Sequence, residues 1–318
     1  MLRCSKFKRL KNLIATGLCL ALAAPSAVFG QKADDQATFR TDTRLVVLHA
    51  TVVDKSGHLI TTLPQTAFQV YENGVQQQVK LFKREDVPVS MGLIIDNSGS
   101  MRDKRTKVAA AAVALVKASN HDDEAFVVNF NDDAFLDCEF TNNVPKMEQA
   151  LSKIDSRGGT AMRDAIRMSI DHMRGKAKKD KKVILVVTDG NDNASMIGLE
   201  SLVKLAQQSE VIIYAIGLLS EEERREAKRA KRALDALTQA TGGQAYYPKE
   251  LSDVDRIAHQ VAHDIRNQYT ITYTPSNQAL DGSFRQIRVV ANGPGRPAVR
   301  TRTGYYATPD SINKSSGS

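Results

Sequence analysis

From Val89 to about residue 268, apolar runs alternate with stretches of helical period. That alternation narrows the possible folds more than any other feature of the chain. "VSMGLIID" (89–96) precedes "KVAAAAVALVKA" (107–118). "AFVVNF" (125–130) and a short piece at 138–140 precede "MRDAIRMSIDHMR" (162–174), and "KVILVVTDG" (182–190) precedes "LESLVKLAQQ" (199–208). "VIIYAIGL" (211–218) leads to a long charged helix ending at Gly242, then to the short strand "QAYYP". "DVDRIAHQVAHDI" finally sets Val254, Ile257, Ala258, Val261 and Ile265 on one helical face. Strands that are apolar at nearly every position are buried on both faces, as in a parallel sheet covered by helices. Residues 89–268 are therefore expected to form a doubly wound α/β domain with a mostly parallel sheet flanked by helices.

The segments on either side carry strand period only. "RLVVLHATVVD" (44–54) is β-branched and apolar. Asn73-Gly74 divides two alternating runs in "FQVYENGVQQQVKLF" (68–82), a hairpin signal. After the domain, "QYTITYTP", "GSFRQIRVVA" and "PAVRTRTGYYA" alternate apolar and polar residues, with Asp281-Gly282 and Asn292-Gly293 as turns. Neither segment is large enough to fold alone. Residues 31–88 and 269–308 are expected to pair into one small accessory β module with the α/β domain inserted in it. The polar tail, 309–318, is expected to be disordered.

Residues 1–30 read as a signal peptide. Arg3, Lys6, Lys8, Arg9 and Lys11 form a basic start, an apolar stretch runs from Leu13 to about Ala24, and small residues at 28 and 30 place the cut before Gln31. The alternative is an uncleaved anchor. Leu18 before Cys19 argues against lipoprotein processing. The segment holds five Lys/Arg and no acids, so its removal takes the net charge from +8 to +3. A nucleic-acid role then has little support. Cys4 and Cys19 leave with it, and Cys138 alone cannot form an internal disulfide. No later apolar run is long enough to span a membrane, so the protein is expected in the periplasm of a bacterium or secreted from it.

Ligands of open α/β sheets bind beyond the carboxyl ends of the strands. Three loops there carry oxygen-bearing side chains. The first strand ends at Asp96, Asn97, Ser98, Gly99 and Ser100; "SRGGTAMRDA" offers Thr160 after two glycines; and "VILVVT" ends at Asp189. Asp96, Ser98, Ser100, Thr160 and Asp189 form an all-oxygen set that suits a hard cation such as Mg2+, Mn2+ or Ca2+. Only two of the five are charged, which leaves room for an anionic ligand. Asn97 and Gly99 are expected to point away or relax the turn, and Gly158 and Gly159 to let backbone come close to the ion.

"DNSGSM" (96–101), "GGTA" (158–161) and "TDG" (188–190) resemble the three metal loops of the von Willebrand factor A domain, over about 180 residues. The resemblance implies a metal-ion-dependent adhesion site. In it Ser98 and Ser100 coordinate directly, Thr160 directly or through water, and Asp96 and Asp189 largely through waters. It also implies a protein partner whose carboxylate completes the shell, and no catalysis. The flanking segments resemble an exported, largely uncharacterised family related to this domain and known mainly from Acidobacteria.

Other readings of these residues are a helix cap at 96–100, a serine nucleophile, and a calcium loop at 189–200. "NSGSM" is not a nucleophile elbow, and no histidine is placed as its base. Ala194 stands where a calcium loop needs glycine. His259 and His263 lack the glutamate of a zinc motif and read as a solvated face. Glu222 and Arg225 read as a helix-surface pair, and Cys138 as a small core residue. Two functional alternatives remain open beside a binding module. One is an envelope-assembly component in which the metal only stabilises the fold. The other is a metal-assisted hydrolase.

Overall fold

The computed structural model describes residues 44–84, 86–118, 120–153, 156–220, 224–309 and 313–314. The expected signal peptide, most of the polar tail and Glu222 lie outside the described residues.

The segment before the α/β domain supplies β1 (Arg44–Val53), β2 (Phe68–Glu72), β3 (Val75–Gln77) and β4 (Val79–Lys83). The domain itself contains β5 (Val89–Asp96), α1 (Arg105–Lys117), β6 (Glu124–Phe130), β7 (Ala134–Thr141), α2 (Val144–Leu151), α3 (Met162–Lys176) and β8 (Lys181–Thr188). It continues with α4 (Leu199–Ser209), β9 (Ile212–Gly217), α5 (Arg224–Thr241), β10 (Ala245–Tyr246) and α6 (Val254–Arg266). The chain closes with β11 (Tyr269–Tyr273), β12 (Phe284–Ala291), β13 (Ala298–Arg300), β14 (Gly304–Tyr306) and β15 (Asn313–Lys314).

The α/β domain has one sheet of six strands in the order β10-β9-β8-β5-β6-β7. All neighbours are parallel except β6 and β7. Every residue of β5, β6 and β9 is buried, which is what an unbroken apolar run requires. Period-2 geometry sends alternate residues to opposite faces. Met91, Leu93 and Ile95 pack with residues of α1, α2 and α6, whereas Ile94 packs on the other face with residues of α3, α4 and α5. Gly92 is fixed by this packing, because a Cβ there would lie 2.6 Å from the Phe126 ring on the neighbouring strand.

The helix α2 carries no sequence expectation. Eight residues with a proline near the start give little periodicity, but the Asn143 side chain accepts from the Lys146 amide and caps it.

The flanking strands build two sheets, β13-β1-β11-β4 and β14-β12-β2-β3. Each joins the two chain segments. β1 pairs antiparallel with β11 from Val46↔Tyr273 to Ala50↔Tyr269, and β2 pairs with β12 from Phe68↔Ala291 to Glu72↔Ile287. Val46, Leu48, Ala50 and Val52 share one core with Val70, Tyr273 and Ile287. The β2–β3 turn has φ of 47° at Asn73 and 81° at Gly74, the doubly positive turn that matches strand twist. Inside the polar tail, Asn313 and Lys314 pair with Leu45 and Arg44.

Candidate metal centre

The site lies where β5 and β8 end. Asp96 closes β5 and is fully buried. Its Oδ1 accepts from the Ser98 amide at 2.8 Å, and its Oδ2 accepts from the Thr188 hydroxyl at 2.5 Å. Burial pushes the Asp96 carboxyl up to about 6; these two hydrogen bonds oppose the shift and nearby Asp189 adds to it.

The chain then makes a short 3-10 turn over Gly99–Met101. Ser98 occupies the cap position, but its side chain makes no capping bond. The Ser98 hydroxyl lies 3.2 Å from that of Ser100, and the Ser100 hydroxyl donates to Asp189 Oδ1 at 2.8 Å. Two loops distant in sequence thus meet through side-chain oxygens, an arrangement that capping does not produce. Ser98 and Asp189 are buried, and Ser100 is exposed and opens the cluster to solvent.

Thr160 is 5% exposed and occupies the third loop. Its amide donates to Asn193 Oδ1 at 2.8 Å, and its carbonyl accepts from the amides of Asn193 and Ala194. Its hydroxyl lies beside the start of the Asp189 loop, 3.7 Å from where a Cβ on Gly190 would stand. The structure therefore brings Ser98, Ser100 and Asp189 into hydrogen-bonded contact, sets Thr160 against Gly190, and anchors Asp96 beneath them.

Gly158 and Gly159 make room for a neighbouring carboxylate. Gly158 has φ +72°, and a Cβ there would overlap the Asp132 carboxylate at 2.0 Å. The Gly159 amide donates to Asp132 Oδ1 at 2.7 Å. The two glycines thus admit Asp132, which carries the Thr160 loop from the β6–β7 turn. Asn97 does turn away, accepting from the Ser156 hydroxyl. Asp192 ties the Asp189 loop to α3: its carboxylate accepts from the Arg163 amide at 2.7 Å and pairs with the Arg163 guanidinium at 3.1 Å. Asn193, Ser195 and Asp192 are all engaged in such loop contacts, so 189–200 does not wrap one calcium ion.

Two cations face the two acids. The Lys104 ammonium lies 2.5 Å from Asp189 Oδ2. Arg105 is fully buried; it donates to Asn129 Oδ1 and leaves Nε and Nη1 without a hydrogen-bond partner. Burial lowers its pKa to about 10, while Asp96 and Asp137 pull it back up, so it stays charged at neutral pH. Neither residue drew attention in the sequence, since basic residues at a helix start read as surface.

Among the described residues no three His, Cys, Asp or Glu side chains are grouped to hold a metal. A cation at this site would depend on hydroxyls. The two hydroxyls fit that role: ligands about 2.0–2.1 Å from an octahedral Mg2+ stand about 3 Å from their neighbours, and the Ser98 and Ser100 hydroxyls lie 3.2 Å apart. No histidine among the described residues hydrogen-bonds Ser98 or Ser100.

The chain is similar over part of its length to several known proteins. An uncharacterised protein of Synechocystis sp. is 27% identical over 110 residues, which make up 33% of this chain and 26% of that protein. The match spans about a quarter of the relative's length. Among solved structures, proximal thread matrix protein 1 of the mussel byssus has 17% identity and a TM-score of 0.47, covering 60% of this chain and 49% of that one. The PilB minor pilin of Streptococcus sanguinis has 13% identity and a TM-score of 0.46, covering 58% and 63%. The vWF domain of the type V pili tip protein Mfa5 of Porphyromonas gingivalis has 13% and 0.46, covering 57% and 97%. Residues 91–191 match the family model of the von Willebrand factor type A domain, and that stretch holds all five oxygen-bearing positions. This chain carries a von Willebrand factor type A domain.

Proposed function

We propose that this chain is an exported, non-catalytic binding module whose metal-ion-dependent adhesion site engages an acidic group of a protein partner. Ser98, Ser100 and Thr160 would hold a Mg2+ ion, with Mn2+ or Ca2+ as substitutes, and Asp96 and Asp189 would act largely through waters. Bound there, the ion supplies an electrophilic position for a carboxylate. The observation that carries this reading is the pair of Ser98 and Ser100 hydroxyls, 3.2 Å apart as neighbouring metal ligands would be, with the Asp189 carboxylate from a separate strand end hydrogen-bonded to Ser100.

The electrostatics point to an acidic partner. Lys104 and Arg105 already balance Asp189 and Asp96, so the cradle is close to neutral and a divalent ion would bring uncompensated positive charge. An anion relieves it, and metal and carboxylate should bind cooperatively. Met196 is 95% exposed on the loop that begins at Asp189 and would offer a partner an apolar contact. Read as a signal peptide, residues 1–30 would put this encounter in the periplasm or outside the cell. The flanking β segments resemble those of the exported, Acidobacterial-type family, which supports this reading. No helix among the described residues is long and apolar enough to cross a membrane.

Calorimetry of the full chain with Mg2+, with and without acetate, tests the reading. Saturable Mg2+ binding that acetate tightens, and that Ser98→Ala with Ser100→Ala abolishes, is expected. An absence of Mg2+ binding, or binding that survives the double substitution, sinks it. Capture from envelope extract in Mg2+ with elution by EDTA, against an Asp96→Ala control, then identifies the partner.

A further inference from the structure

At the opposite pole of the α/β domain, the outer face of the β1–β11–β4 sheet does not close flat on the domain. A cavity of about 620 Å³ separates them, within the range of small-molecule sites. Lys181, the first residue of β8, lines it, whereas Asp189 follows the last residue of that strand. The two sites are therefore a full strand length apart.

The lining is mixed, with apolar side chains on both of its sides. Val47 and Leu81 face the cavity from the β module and Val211 faces it from the α/β domain. Leu81 is 43% exposed there, an apolar side chain left uncovered.

One end is basic. Lys181 and Arg302 are 4% and 7% exposed, and half-buried His49 lies within reach of both charges. Burial first, then Lys181 and Arg302, hold the His49 pKa well below its ordinary value. Arg302 Nη1 pairs with Glu210 at 3.3 Å, but Nε and Nη2 have no hydrogen-bond partner. The Lys181 ammonium donates only to the Ile265 carbonyl. Lys178 and Lys179 stand at the same end, and Asp180 and Glu210 are the only acids on the lining. Asp86 and Asp123, outside the lining, attract the Lys181 charge, and Glu210 pairs with Arg302; the two unpartnered Arg302 nitrogens remain buried donors that an anion would satisfy.

We propose that this cleft binds an amphipathic organic carboxylate, with its apolar body against Val47, Leu81 and Val211 and its acid group at the Lys181 and Arg302 end. Charge complementarity selects the head and the uncovered apolar wall selects the tail. The ligand bridges the β module and the α/β domain, and its binding is independent of any metal at the other pole.

Decanoate, decyltrimethylammonium and decanol, each titrated into the full chain in EDTA, test this by calorimetry and melting temperature. Decanoate is expected to bind saturably at one site and raise the melting temperature, with decanol about tenfold weaker and the cation not binding. Arg302→Met should erase the preference for the acid. Because that substitution removes a buried ion pair, Leu81→Glu provides a second variant at an exposed position and should cut decanoate affinity about tenfold. Equal binding of acid and cation, binding that appears only when Mg2+ replaces EDTA, or a Leu81→Glu protein that binds decanoate normally would overturn the proposal.

Discussion

The Lys104 ammonium and the Ser100 hydroxyl divide the Asp189 carboxylate between them, Lys104 on Oδ2 at 2.5 Å and Ser100 on Oδ1 at 2.8 Å. One oxygen is neutralised by an ion pair while the other faces the proposed ligand cluster. Asp189 would thus present less than a full negative charge to a cation, and the proposed site would bind metal weakly until an acid arrives.

Replacing Lys104 by Met tests that tuning. Removing one positive charge a few ångströms from the cluster should raise Mg2+ affinity roughly fivefold, a figure discounted because Lys104 is 32% exposed and so screened by solvent. Acetate should then enhance Mg2+ binding less than in the parent protein. Calorimetry measures both, and an unchanged or weaker Mg2+ affinity would show that Lys104 does not oppose the cation.

Asp132 is the second handle, acting on the site through the Thr160 loop. Its carboxylate accepts from the Gly159 amide, next to Thr160, and fills the space that Gly158 leaves. Asp132→Ala removes both the acceptor and the packing, and should lower Mg2+ affinity roughly fivefold, about 1 kcal/mol, for an exposed charge-assisted hydrogen bond. Asp132→Asn keeps an acceptor oxygen and should restore most of the affinity. If the asparagine variant is as weak as the alanine one, the carboxylate acts by its charge and not by positioning the loop.

The sheet was legible in the sequence because a strand buried on both faces has no polar positions to confuse with a loop, as in "VSMGLIID" and "VIIYAIG". The β module was legible because Asn73-Gly74 and the alternation of β1 and β12 each mark one face. Asp132, Lys104 and Arg105 were not. Asp132 lies in a polar turn that reads as solvent-facing, and its role depends on a contact with Gly159 across 27 positions. Arg105 is a charged residue at a helix start, and nothing local indicates that it is fully buried. Local pattern reports which face a residue takes, whereas these contacts are set by which loops the topology brings together. The cavity above Lys181 was hidden for the same reason, being lined from both sides of the insertion.

Lys181 offers a test of that buried end by pH. Burial lowers its pKa to about 7, against the pull of Asp86 and Asp123. An unfolded lysine keeps its proton to well above pH 9. Between about pH 7 and 10 the unfolded chain therefore binds the proton that folded Lys181 gives up, and the folded state gains stability as pH rises. Below pH 7 both states are protonated and the full penalty of burying the charge remains. The gain is at most about 1.4 kcal/mol per pH unit for one proton. Lys181→Met removes it, so the parent protein's stability minus the variant's should climb from pH 6.5 to 9.5, and shared titrations of other groups cancel in that difference. Urea unfolding across this range measures the curve. A flat difference would mean that Lys181 keeps its proton in the fold. Saturating the cleft with decanoate should shift the climb to higher pH, because an acid beside the ammonium favours its charged form.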